Sequence, residues 1–244
     1  MLFFYLRHGD PIYIPDSLTP QGEQQADALA KRLALYGIDR IFVSSSNRAQ
    51  MTAEPTAKLL GLTPEILDWA NENYTWDDFA LLAPGHTKDH WSFQTAYYTR
   101  LFNSPEVRAL GLDWASAPAF ANTRFAEGIK RIQAESDAFF ASLGYVHDRA
   151  TGTYRVERPN EDRIAFFAHQ GFGLAFLSCI LDDPYPHFAT HFDFGHSSMT
   201  VIEFRAYDRE NLDPVCVPKV LQFSNDSHLY REGLSTKYQN RIDI

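Results

Sequence analysis

The sequence is poor in cysteine: only Cys179 and Cys216 occur in 244 residues, in separate segments and with no Cys-x-x-Cys spacing. That argues against a disulfide framework and a thiolate zinc site, and it suits a reducing compartment, so a cytoplasmic setting is expected. Long apolar runs are missing as well. Leu2–Leu6 is apolar but ends at Arg7, far short of a signal-peptide core or the roughly 20 residues of a membrane span, so neither export nor a membrane partner is expected. Basic charge is in deficit, with 22 Lys and Arg against 31 Asp and Glu and a net charge of −9. Such a surface repels polyanions and disfavours nucleic acid as a partner, yet a small anion can still enter a local cationic pocket. There is no internal repeat, low-complexity tract or charge run.

What is present fits a soluble globular protein: 45% apolar and 22% charged residues over a length that suggests one large domain, or one carrying a sizeable insertion. Leu2–Leu6 reads as a strand buried on both faces that delivers Arg7-His8-Gly9 to a sheet edge. A helix follows, with Thr19 as N-cap, Pro20 in the first turn and a stop at Gly37. Asp39 to Ser45 is a second strand, Asn47 to Leu60 a second helix and Pro64 to Leu67 a third strand, an order that points to α/β. Beyond Trp69 the pattern breaks down among scattered tryptophans, tyrosines and phenylalanines, read as an insertion that caps the sheet, its large aromatics packing rather than gripping a ligand. Thr123 to Leu143 regains helical period, and Tyr145 to Glu157 reads as a hairpin. Arg163 to Ala168 is a strand running into His169-Gln170-Gly171, followed by a helix from Phe172 to Leu181. Met199 to Ala206 and Val215 to Ser224 supply two late strands, and Tyr230 to Ile244 has no clear period. The expected architecture is a single α/β domain over residues 1–244: a three-layer sandwich with a mainly parallel sheet flanked by helices, plus a helical, aromatic-rich cap at about 73–160.

Two of these strands end in loops that bear histidine and glycine, and such C-terminal strand ends line ligand crevices in open α/β sheets. A third loop places Arg48 at the start of a helix, whose N-terminal N–H groups attract anions. In order, Arg7-His8-Gly9, Leu18 through Ala26, Ser45 through Ala53 and His169-Gln170-Gly171 resemble the motifs of the histidine phosphatase superfamily, phosphoglycerate mutase-like branch. The resemblance covers residues 1 to about 72 and 163 to about 205.

The resemblance implies phosphoryl transfer through a phosphohistidine at His8, with Arg7, Gly9, Arg48 and Gln170 holding the phosphate and His169 assisting. The physics agrees with these residue types. Neighbouring guanidinium groups disfavour the imidazolium and so keep a nucleophilic histidine neutral, and arginine bridges two oxygens of a group that is held mainly by charge and position. The resemblance also implies a carboxylic acid after the third strand that protonates the leaving group. Glu72 is the first candidate and Asp68 the second, with Asp77 and Asp78 nearby. No cofactor and no metal are implied. A rival constellation, His187, His191, Asp193 and His196, would suit zinc or iron, but Pro184 and Pro186 make the helix that His187 and His191 would need uncertain, and a plain loop is the reading preferred.

The expected activity is metal-independent hydrolysis of a small phosphorylated metabolite. The short, largely apolar loop after Gly9 favours a phosphatase over a mutase, and Asp10 is expected to repel a second anion near the phosphate. The alternatives are a mutase-type phosphoryl transferase, a catalytically idle phospho-ligand sensor on the same fold and a metallohydrolase.

Overall fold

A computed structural model describes residues 1–205 and 214–236. Its central sheet holds six strands: β1 (Leu2–Arg7), β2 (Arg40–Ser44), β3 (Glu65–Leu67), β6 (Arg163–Ala168), β7 (Met199–Glu203) and β9 (Lys219–Asn225), in the spatial order β9-β7-β1-β6-β2-β3. Strands β1, β6, β2 and β3 run parallel, whereas at one edge β7 pairs antiparallel with β1 and β9 antiparallel with β7. The fold is therefore α/β with a mainly parallel sheet and helices on both faces.

Side-chain alternation along the buried strands divides the core in two. Phe4 and Leu6 of β1, with Ile41 and Val43 of β2, face α1 (Pro20–Tyr36) and α2 (Asn47–Leu60). Phe3, Tyr5, Phe42 and Phe166 face the other way, toward α6 (Phe125–Ser142) and α7 (Gln170–Ile180). Helix α1 has the expected boundaries: Thr19 accepts the Gly22 N–H through its side chain, and Gly37 closes the helix in the left-handed region at φ 71°.

The segment expected to be a cap divides into two parts. The C-terminal half of α6 lies on the sheet itself, its Phe139 5.0 Å from Phe42 and its Phe140 5.3 Å from Phe3, centroid to centroid. The shorter helices before it, α3 (Glu72–Phe79), α4 (Ala96–Phe102) and α5 (Pro105–Ala109), gather with the start of α6 around a buried cluster of Phe79, Phe102, Trp114 and Phe125. The hairpin is present as β4 (Tyr145–Asp148) and β5 (Thr153–Val156).

Three local expectations differ. The segment 215–224 is not one strand, because Pro218 lacks an N–H: β8 (Val215–Cys216) joins β5 in a side sheet, and β9 starts at Lys219. Tyr185–His191 is a short helix, α8, not a loop, with Pro186 tolerated in its first turn. Leading into the tail, Ser227–Arg231 forms a last helical turn, α9, which takes in Tyr230 and Arg231. Ala206 of the expected strand and residues 237–244 of the tail lie outside the described residues. No helix among the described residues is long and apolar enough to cross a membrane.

The register brings the chemistry together. Arg7 of β1 pairs with Ala168 of β6, so His8 and His169 leave adjacent strands side by side, and the His8 N–H donates to Ala168 O at 3.0 Å. Tyr5 ties the same strand ends, its hydroxyl donating to His169 O at 2.6 Å. Helix α7 approaches Tyr5 through Gly173, where a Cβ would stand 2.5 Å from the Tyr5 oxygen. Gly173→Ala is therefore expected to cost about 1–3 kcal/mol through overpacking, read as a lower urea midpoint. A midpoint equal to that of the parent would show that the helix and ring can separate freely.

Candidate active site

His8 is 2% exposed, and its Nδ1 lies 2.7 Å from the carbonyl oxygen of Gly9. A carbonyl can only accept, so Nδ1 carries the hydrogen and Nε2 keeps the lone pair. Burial, reinforced by His169, Arg7 and Arg48, holds the imidazole pKa well below its ordinary 6.5. Two guanidinium groups flank it, each on a residue 7% exposed. Arg7 donates through Nη1 to Phe194 O, and burial pulls its pKa down although Asp193 and Glu72 oppose that. Arg48 sits in the first turn of α2 and pairs through Nη1 with Asp16 Oδ1 at 2.9 Å. The Nε atoms of both arginines are buried without a hydrogen-bond partner. Unfilled cationic donors around a neutral imidazole make a place for an oxyanion.

Glu72 opens α3, behind an N-cap at Asn71. Its Oε1 accepts the backbone N–H groups of Gly171 at 2.7 Å and Phe172 at 3.2 Å, at the start of α7. Its Oε2 lies 3.1 Å from His169 Nδ1 and 3.8 Å from Arg48 Nη2. Burial raises the carboxyl pKa despite these arginines and amides. Gly171 is what lets this carboxylate in: a Cβ there would lie 2.7 Å from Glu72 Oε1 and 2.4 Å from Trp91 Cη2.

The other acids are placed elsewhere. Asp68 accepts from Ser45 Oγ at 2.6 Å and from the Tyr74 hydroxyl at 2.9 Å, and these bonds hold its pKa below the usual value. Asp78 is buried between Arg124 and Arg131, and Asp77 faces solvent.

His169 is fully buried 5.2 Å from the His8 ring, and its Nε2 meets the hydroxyls of Ser44 at 2.8 Å and Ser46 at 3.2 Å. Its pKa is also held well below 6.5, by burial and the two arginines. The Nδ1 atom, although close to Glu72, has no aligned hydrogen-bond partner. Gln170 lines the cleft and donates to Asp193. Gly9 departs from expectation: its N–H is taken by Thr52 Oγ1 at 3.0 Å and is not free for phosphate, while its carbonyl fixes His8. Asp10 also departs, for it faces His196 at 3.2 Å and the Thr19 hydroxyl at 2.9 Å.

Among the described residues the late histidines do not gather into one ligand set, although the His187 and His191 rings lie 4.7 Å apart. His187 pairs with Asp183, His191 bonds to the His187 carbonyl, and His196 lies beside His8 with ring centroids 5.9 Å apart. Among the described residues, His8, Glu72 and His169 bring donor atoms within 4.8 Å of one another and could hold a metal ion. Arg7 and Arg48 set two positive charges around that position, which favours an anion over a cation.

The groups surround a cleft of about 680 Å³ whose lining also includes Tyr13, Asp16, Asn71, Trp76 and Trp91. Sequence reasoning missed these and the two serines. Ser44 and Ser46 were within reach, because they stand at a strand end beside Arg48. Asp16, Tyr13, Trp76 and Trp91 carry no spacing signal, since only the folding back of their loops brings them here.

The depressed imidazoles have a consequence for stability. As pH falls below about 6.5, the unfolded chain takes up protons at His8 and His169 that the folded chain refuses, so stability is lost toward the folded-state pKa values. His8→Asn should remove part of this loss, so that its urea midpoint falls less than the parent's between about pH 7 and pH 5. An equal or steeper fall would show that His8 is not held neutral.

Residues 7–79 match the histidine phosphatase superfamily (branch 1). A 70-residue stretch is 41% identical to the PE-PGRS family protein PE_PGRS11 of Mycobacterium tuberculosis, and that match spans 28% of this chain and 12% of the relative. Among solved structures, phosphoserine phosphatase from Entamoeba histolytica in complex with 3-phosphoglyceric acid is similar at a TM-score of 0.56 and 16% identity, over 93% of this chain and 98% of that one. A mycobacterial glucosyl-3-phosphoglycerate phosphatase in complex with VO3 is similar at 0.56 and 19%, over 91% and 98%. These likenesses show a shared fold, and the match to the histidine phosphatase superfamily extends over residues 7–79.

Proposed function

We propose that the chain is a metal-independent phosphomonoesterase that acts through a phosphohistidine at His8 on a small phosphorylated metabolite. The observation that carries the reading is the neutral His8 imidazole, with its Nδ1 tied to Gly9 and two buried arginines beside it, each with an unpartnered donor. In this reading Arg7, Arg48 and Gln170 hold the phosphoryl oxygens. Ser44 and Ser46 donate to His169 Nε2, which leaves Nδ1–H for a further oxygen.

His8 Nε2 attacks phosphorus and the ester P–O bond breaks, the departing oxygen taking the proton of Glu72. Water then attacks the phosphohistidine, giving up a proton to the Glu72 carboxylate, and phosphate leaves as His8 regains its lone pair. The raised pKa of Glu72 suits a group that must be acid in one step and base in the next. Asp68, ionised and engaged with Ser45 and Tyr74, does not suit that task.

Hydrolysis is favoured over a mutase reaction because Lys88 is the one cation outside Arg7 and Arg48 among the residues lining the cleft, too few for a second acidic group to be held while the intermediate waits. A cytoplasmic setting belongs to the same reading: both thiols are buried and unpaired, with burial pushing each pKa to about 12.

The test uses leaving groups of different quality. Glu72→Gln should cost ~10²-fold or more in kcat/KM on alkyl phosphates and little on nitrophenyl phosphate, and parent turnover should survive chelator and stop with vanadate. Equal losses on both esters would assign Glu72 to positioning alone. Loss of turnover with chelator would favour a metal at His8, Glu72 and His169. Anion binding without turnover would favour a sensor.

A further inference from the structure

The mouth of the cleft is walled by aromatic rings that are held in place yet left partly bare. Tyr13 is 65% exposed and Trp76 37% exposed, while Trp91 is partly buried. Each ring has an anchor. The Arg48 guanidinium lies 5.5 Å from the Tyr13 centroid, a cation–π contact that ties this ring to the phosphate floor. Trp91 fills the space over Gly171 and stacks on Phe93 at 5.6 Å and 27°. Trp76 meets Trp91 edge to face, at 5.0 Å and 83°.

Tyr13 comes from the loop after β1, and the two tryptophans come from the segment beyond β3. Rings from separate parts of the chain thus line one cleft above His8, Arg7 and Arg48. Large aromatic side chains are ordinarily mostly buried. An arrangement that fixes three of them and covers only part of their surface offers ring faces and edges to whatever is attached to the bound phosphate. Such surfaces favour a planar π-system over a saturated group of equal size, because the ring quadrupoles attract in stacked and edge-to-face geometries.

We propose that Tyr13, Trp76 and Trp91 form an aromatic-recognition subsite, and that the substrates are small phosphomonoesters whose remainder begins with a planar aromatic ring. This rests on the phosphatase reading of the same site and narrows its substrate class.

The experiment separates the two readings by using non-hydrolysable ligands. Dissociation constants of benzylphosphonate and cyclohexylmethylphosphonate, which share their anion and linker, are measured by calorimetry on the full chain. The aromatic ligand should bind about 3- to 10-fold tighter, as one added aromatic contact warrants. Trp76→Leu and Tyr13→Leu should each reduce that ratio, their combination should bring it to about one, and Trp76→Phe should keep it. Inorganic phosphate, which reaches only the floor, serves as the check that each variant is folded. Equal affinities in the parent, a ratio that survives the double substitution, or no binding of either phosphonate where phosphate binds would overturn the proposal. Because neither ligand is turned over, a preference found in a chain that hydrolyses nothing would overturn the phosphatase reading alone. Hydrolysis without a preference would overturn this one alone.

Discussion

Arg7 and Arg48 bring two positive charges into the wall of one cleft, and the residues around them are arranged to hold that charge out of water. Isolated buried cations are costly, so each is partnered on one side, Arg7 by a backbone carbonyl and Arg48 by Asp16. The partnering is incomplete, because the Nε atoms of both arginines are buried without a hydrogen-bond partner. Burial, reinforced by the same charges, keeps both imidazoles neutral, and at Glu72 burial outweighs them and leaves its carboxyl easier to protonate. Burial and charge together thus set the protonation state of three groups in directions that suit nucleophile, donor and acid.

The fold supplies that constraint through register. Parallel pairing of β1 with β6 sets His8 beside His169, and β2 on the far side of β6 supplies Ser44 and the turn into α2 that carries Arg48. Glu72 enters from outside the sheet and is fixed by the amides of α7, so the acid is positioned by the helix that follows the second histidine. Access for Glu72 and Trp91 depends on the missing side chain at Gly171.

Much of this was legible in the sequence, because the strands carrying the chemistry are short apolar runs with polar ends, and α1 announces itself through Thr19, Pro20 and Gly37. Arg7, His8, Arg48, His169 and Glu72 lie together because sheet register and strand-end loops bring them there. What was not legible depends on long-range folding back. The Gly9 amide was expected to face the ligand, yet its N–H turns to Thr52, a partner 43 residues away. Asp16 lies in a loop whose sequence gives no hint that it will reach Arg48. The aromatic segment after Trp69 resolved into a packed cluster around Trp114 and two tryptophans at the cleft, a division that composition cannot make. The strand expected over 215–224 failed at Pro218, where the residue itself gave the warning.

The central claim is that His8 carries the phosphoryl group. It is tested most directly by rapid quench of turnover with a labelled phosphomonoester, followed by alkaline digestion, which spares acid-labile phosphohistidine. The account predicts label on the peptide that contains His8, absent from His8→Ala and lost on a chase with unlabelled substrate. Turnover with no label at His8 at any quench time would contradict it.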